Sequence, residues 1–247
     1  MKILSTIILY ITLQFSLYSQ TANITTHDYQ ENSASKRYLM AVKYPQIDFG
    51  PEALMGVRGI AQDINTCVDT LWKNRVSDFK NEIRGLPEKP CTEQPSALNV
   101  TYKTVYNDNS LFSFSFETFS APDCANHPYN YTTTLNYSAT SVGALGLSDI
   151  FLKDKPYLKF ISDYCMKELK ARALKDKLDN INDMIATGTS ANADNFRAFN
   201  VTQSELIITF NPYRVGPWIW GTQSVSIPYS EIKSMFDPNG PLGIFVK

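Results

Sequence analysis

Leu98-Asn-Val-Thr-Tyr-Lys-Thr-Val-Tyr-Asn-Asp-Asn-Ser-Leu-Phe-Ser-Phe-Ser-Phe-Glu117 carries the clearest fold signal in the chain. Leu98, Val100, Tyr102, Thr104 and Tyr106 recur at period two. Phe112, Phe114 and Phe116 do the same against Leu111, Ser113, Ser115 and Glu117. Successive strand side chains point to opposite faces, so each run reads as a strand with one apolar face. Asn107 to Ser110 supplies the turn residues between them, and two such runs across an Asn/Asp turn predict an antiparallel hairpin.

Working outward, residues 38–49 predict a first strand, bent at Pro45. Gly50-Pro51 then opens a helix, since proline is tolerated in a first turn. Met55, Ile60, Ile64, Cys67, Val68, Leu71, Trp72, Phe79 and Ile83 recur at helical spacing, and Gly85 ends the run. Residues 86–96 are a loop with three prolines. Downstream, residues 129–137 alternate as a third middle strand. Pro156 starts a second long helix, whose buried side is Tyr157, Phe160, Ile161, Tyr164, Cys165, Leu169, Ala173 and Leu174. A short amphipathic piece follows at 177–185. Residues 196–201 and 206–213 predict another hairpin, 224–227 a last strand and 229–236 a short helix. The order β-α-β-β-β-α-β-β-β gives an α+β fold, with mainly antiparallel sheet and two long helices. Residues 38–247 are expected as one domain with two halves, about 38–137 and 138–247.

The N-terminus reads differently. Met1-Lys2 precedes an uncharged, mostly apolar run to Tyr18, then small Ser19. This predicts a secretory signal peptide over 1–19, cut near Ser19 or Ala22. A retained membrane anchor is the competing reading, weakened by Ser5, Thr6, Thr12, Gln14 and Ser16. Residues 20–37 are polar and aperiodic and predict a disordered lead-in. No later segment is apolar enough to cross a membrane. The expected location is therefore periplasmic or secreted. The remaining composition is ordinary for a globular chain, with 43% hydrophobic and 19% charged residues in 247. A formal charge of −1 without basic clusters argues against a nucleic-acid partner.

All four cysteines, Cys67, Cys91, Cys124 and Cys165, lie in the exported part, which fits two disulfides. Cys91 and Cys124 flank the central hairpin, so its two outer ends bring them to one side. Cys91–Cys124 is the preferred bridge. Cys67 and Cys165 sit on the apolar stripes of the two helices, where they could pair or stay as buried thiols.

Catalytic groups are scarce. The two histidines are His27, in the lead-in, and His127, in Cys124-Ala-Asn-His-Pro. One histidine and one cysteine leave a zinc site two ligands short. No Gly-x-Ser-x-Gly elbow accompanies His127. A paired-carboxylate site has no specific signal among 24 acids. No metal or cofactor is expected, and His127→Ala is expected to change any activity or binding only a few-fold. Asn-x-Ser/Thr sites occur at Asn23, Asn99, Asn130, Asn136 and Asn200.

The sharpest local feature is Phe210-Asn-Pro-Tyr-Arg-Val-Gly-Pro-Trp-Ile-Trp-Gly221, with Tyr229 shortly after. Tyr213, Pro217, Trp218, Trp220 and Tyr229 are the candidate binding residues. Aromatics on a Pro/Gly-shaped loop suit recognition of sugar or protein surfaces, while the structural alternative is that they cap the core. On an extended segment Trp218 and Trp220 would share one face, with Ile219 turned to the core. Two outward tryptophans would then form a recognition surface, and their truncation would weaken binding by about 2 kcal/mol or more.

The segment from Leu206 to Gly221, followed by Val225-Ser-Ile-Pro-Tyr-Ser-Glu-Ile-Lys, resembles the end of the RsiV/PdaC-type extracytoplasmic domain. That family reads as an apolar strand, Phe-x-x-Tyr-x-x-x-Pro-Tyr-x-x-Gly and Ile-Pro-Tyr-x-x-Leu. Phe210, Tyr213, Pro217, Trp218 and Gly221 fit, with Trp218 for the second tyrosine. Ala125-Asn-His-Pro, Asn136-Tyr and Leu147-Ser-Asp-Ile-Phe echo further marks, although Ser138 replaces an acid. The resemblance implies an α+β exported module. Its relatives bind lysozyme on an anti-sigma factor or precede a peptidoglycan deacetylase domain. This chain shows neither a sigma-binding nor a deacetylase part, so those activities are not carried over. The expected function is a non-catalytic binding module for peptidoglycan or a lysozyme-like protein. A cell-envelope hydrolase using His127 or a carboxylate pair, and a structural envelope protein, are the alternatives.

Overall fold

The computed structural model describes residues 21–246. The segment 1–19, expected as a signal peptide, lies outside them. Two sheets and two long helices make up the α+β architecture expected.

β1 (Asn23–Ser33) and β2 (Tyr38–Asp48) pair antiparallel. α1 (Met55–Arg84) then crosses over to β3 (Ser96–Asn107), which lies parallel to β2. β4 (Leu111–Ala121), β5 (Tyr129–Ser138) and the two-residue β6 (Gly143–Ala144) continue antiparallel. The spatial order is β1-β2-β3-β4-β5-β6. α2 (Tyr157–Lys175) and α3 (Asn182–Gly188) follow. β7 (Phe199–Val201), β8 (Glu205–Phe210) and β9 (Gln223–Pro228) form a second, antiparallel sheet. α4 (Tyr229–Ile232) closes this part.

The lead-in expected to be disordered is a strand. β1 is read poorly from sequence because most of its side chains are exposed. Its full backbone ladder to β2 holds it, and the amide of Ala22 donates to Asn109. Tyr29 adds a ring contact to Trp72 at 5.0 Å. α1 also starts later than expected, at Met55, and that side chain is exposed.

Two hydrophobic cores result. The first lies between the large sheet and α1, where Phe112, Phe114, Phe116 and Tyr137 meet Ile64 and Val68. The second lies between the small sheet and α2, α3 and α4, around Ile161, Leu169, Ile185, Ile208 and Ile227. A buried polar seam joins them. Asn200 donates to Ser113 Oγ and to the Phe114 carbonyl at 2.8 and 3.0 Å. Ser113 donates to Asn136, whose amide reaches the Phe199 carbonyl. Every member has a partner, as burial of polar groups demands.

The two cores also explain the cysteines. Cys91 and Cys124 are bridged, with Cα atoms 5.0 Å apart. Cys67 and Cys165 are free thiols, so the second expected bridge is absent. Cys67 packs against the first core and Cys165 inside the second, because each helix serves its own sheet. Burial pushes the Cys165 thiol up to about 12, which leaves it an inert core residue.

Candidate functional site

The loop from Asn211 to Gly221 is built by close backbone approaches. Asn211 mimics a strand partner: its Oδ1 accepts from the Thr132 amide and its Nδ2 donates to the Thr132 carbonyl. Gly188 of α3 lets the loop pass, since a Cβ there would sit 1.9 Å from the Arg214 carbonyl oxygen. A Cβ on Gly216 would meet the Trp220 ring at 2.4 Å. Pro217 then leads into a 3-10 turn over Trp218–Trp220, closed by Gly221 at φ 70°. The amides of Trp220 and Gly221 donate back to Pro217 and Trp218.

This turn reverses the expected orientation. Ile219 is 79% exposed, while Trp218 and Trp220 are each half-buried on different partners. The period-two argument failed because the backbone here is not extended. Trp220 packs on the second core and donates its indole N–H to Asp176 at 2.9 Å. Tyr229 is not a surface residue either. It is buried in the second core, its hydroxyl donating to the Thr202 carbonyl at 2.9 Å, and burial raises its pKa. The sequence Ile-Pro-Tyr places it at the turn into α4, where its ring faces Phe236.

What gathers instead is a ring cluster on His127. Its imidazole stacks on Trp218, with centroids 4.8 Å apart. Tyr129 meets it edge-on at 5.7 Å, and Tyr213 lies at 6.2 Å. The Tyr213 hydroxyl is 3.0 Å from Nε2, and Nδ1 is 3.1 Å from the Pro128 carbonyl. A carbonyl only accepts, so Nδ1 carries a proton, and in the neutral ring Nε2 accepts from Tyr213. Tyr213 and Tyr129 are 55% and 44% exposed.

The His127 loop is pinned from the other side. Asp123 accepts from the amides of Cys91, Thr92 and Cys124 and from the Thr92 hydroxyl. Together with the disulfide, this ties residues 91–92 to the start of the loop. Cys91, Asp123 and Cys124 bring ligand-type atoms within 4.8 Å, but both sulfurs are bonded to each other and the carboxylate is saturated. That donor set does not fit a metal. Among the described residues no serine or cysteine hydrogen-bonds His127, so a nucleophile–base pair is not assembled there.

Tyr129 and the platform role of His127 were missed in the sequence. Tyr129 read as one more alternating strand residue, and nothing local tells which end of β5 meets the loop after β8.

Residues 148–230, which span α2 to the start of α4, match the family described as Protein of unknown function (DUF3298). Over 175 residues the chain is 27% identical to the peptidoglycan-N-acetylmuramic acid deacetylase PdaC of Bacillus subtilis (strain 168), covering 70% of this chain. It spans only 36% of that protein's length. Among solved structures, a DUF3298 family protein from Pseudomonas aeruginosa PAO1 shares the fold with a TM-score of 0.60 at 13% identity, covering 90% of this chain and 97% of that one. A DUF3298 member from Bacteroides fragilis NCTC 9343 gives 0.57 at 14%, covering 93% and 98%. These likenesses bear out the resemblance read from the sequence: the chain is similar to a PdaC-type domain, and its second core carries the DUF3298 match.

Proposed function

We propose that this chain is an exported, non-catalytic binding module for a cell-wall glycan. The carrying observation is the ring platform of His127, Trp218, Tyr213 and Tyr129, open to solvent on one side. Flat rings with polar edges suit sugars, which present apolar C–H faces between hydroxyl groups. Pro217 fixes the backbone that feeds Trp218 into the stack. The likeness to a peptidoglycan deacetylase favours a glycan over a lysozyme-like protein as the partner. The disulfide supports an exported location, where such bonds persist. Both nitrogens of His127 are engaged by Pro128 and Tyr213, which favours a platform over a hydrolase.

The test is co-sedimentation with purified peptidoglycan sacculi. The wild type should pellet, and Trp218→Ala should lose binding by about thirtyfold or more, the lower bound for an interface hot spot. Equal pelleting of the variant would remove the platform from the site. Failure of the wild type to pellet, with Trp218-dependent binding to a lysozyme, would move the partner class to protein.

A further inference from the structure

The small sheet docks on the large one along β5 and leaves a groove beside the junction. Docking uses Asn211 on Thr132, the Phe199 amide on Thr134 Oγ1, and Asn136 on Phe199. Beyond Ser113, which β7 covers, the outer faces of β3 and β4 stay open. Thr101, Ser115, Phe119 and Asn130 form the floor, and Thr209, Thr222 and Ser224 form the wall. The groove measures about 480 Å³, within the roughly 300–1,000 Å³ of small-molecule sites.

Its chemistry is narrow. Side-chain hydroxyls and amides dominate, which both donate and accept. Glu117 is the one charged lining residue among those described, and Lys103 holds it at 2.9 Å. Phe119 presents a ring that is 37% exposed. The middle floor strand β4 is paired on both sides, so its backbone groups are taken up in the β3–β4–β5 ladders. A ligand lying on the floor is read by side chains, between two sheet walls. Asn130 follows Tyr129 directly on β5, and strand alternation turns the two side chains to opposite faces, so groove and platform adjoin through the β5 backbone.

We propose that this groove is a second subsite, holding an uncharged, polyhydroxylated glycan segment next to the one on the platform. The ligand class rests on the glycan reading above, whereas the location does not.

The probe is the β-1,4-linked tetrasaccharide of N-acetylglucosamine, titrated into the chain from residue 21 by calorimetry and methyl NMR. Thr101, Thr132 and Thr209 methyl signals should shift. Phe119→Ala should weaken binding about tenfold, the scale of losing one stacked ring. Thr101→Arg should do at least as much, because Thr101 stands opposite Glu117 and a long side chain there fills the groove. Both positions are partly exposed, so melting temperatures should stay close to the wild-type value. Shifts confined to the Ile219 methyls beside Trp218, with Phe119→Ala binding normally, would overturn the groove and leave the platform standing. A tetrasaccharide that fails to bind the wild type would also overturn it, while the sacculus experiment judges the platform separately.

Discussion

Trp218 and Trp220 are two residues apart and do unlike work. One stacks on His127 from a neighbouring loop. The other seals the second core and holds Asp176. Trp220→Ala should therefore lower stability by about 2 kcal/mol, roughly half of a fully buried truncation, and leave glycan binding little changed. Trp218→Ala should show the opposite balance. Tyr229→Phe should cost about 1 kcal/mol, the net worth of one buried hydrogen bond, with binding unaltered. Urea midpoints and sacculus pelleting on the same samples would separate these roles. A Trp220→Ala variant of normal stability would contradict the packing described. At this scale the sequence marked the loop's turn residues but not its faces. Pro217 and Gly221 were visible, yet the turn they enclose depends on the Trp220 ring lying over Gly216, a contact with no periodic signature.

Elements whose burial alternates were legible. The hairpin of β3 and β4 formed as its phenylalanines required, and the Cys91–Cys124 bridge followed from its ends. β1 was not legible, since an edge strand held by its ladder needs no apolar face. The helix stripes were legible except at Met55 and Leu174, which are exposed, but not that each helix covers a different sheet, so of the two outcomes open for Cys67 and Cys165 the free thiols are found. The bridge closes a loop of 33 residues' separation, worth about 3–4 kcal/mol in the chain-entropy account. It also anchors the segment that presents His127. Cys91→Ser/Cys124→Ser should lose stability on that scale and weaken sacculus binding, both measured without reductant. Unchanged glycan binding in the double variant would show that Asp123 and its four donors hold the His127 loop alone.

Across the whole molecule, the two cores meet at Ser113, Asn136 and Asn200, and charge is concentrated elsewhere. At the far edge of the large sheet, Glu31 receives Lys80 at 2.7 Å, Tyr38 at 2.5 Å and the Tyr29 hydroxyl. The Lys80 ammonium first, then the two hydroxyls, hold its carboxyl down at about 2 against an ordinary 4.5. A depressed carboxyl stabilises the fold above its unfolded value, and that contribution fades as pH falls from 4.5 towards 2. Tyr29, raised to about 12 mainly by its bond to Glu31, sets the reverse limit, with stability lost from pH 10 upward. Urea midpoints of the wild type should therefore drop more steeply between pH 4.5 and 2 than those of Glu31→Gln. Parallel slopes would remove this cluster from the acid response. The parallel pairing of β2 with β3 has a consequence in time. A chain emerging N-terminus first can zip β1 onto β2 at once, because a short turn joins them. The other edge of β2 waits until α1 and residues up to Val100 have followed. Until α1 has followed, the face that carries Met40 and Val42 has no cover, so the longest helix of the molecule is the piece whose arrival ends that exposure during synthesis.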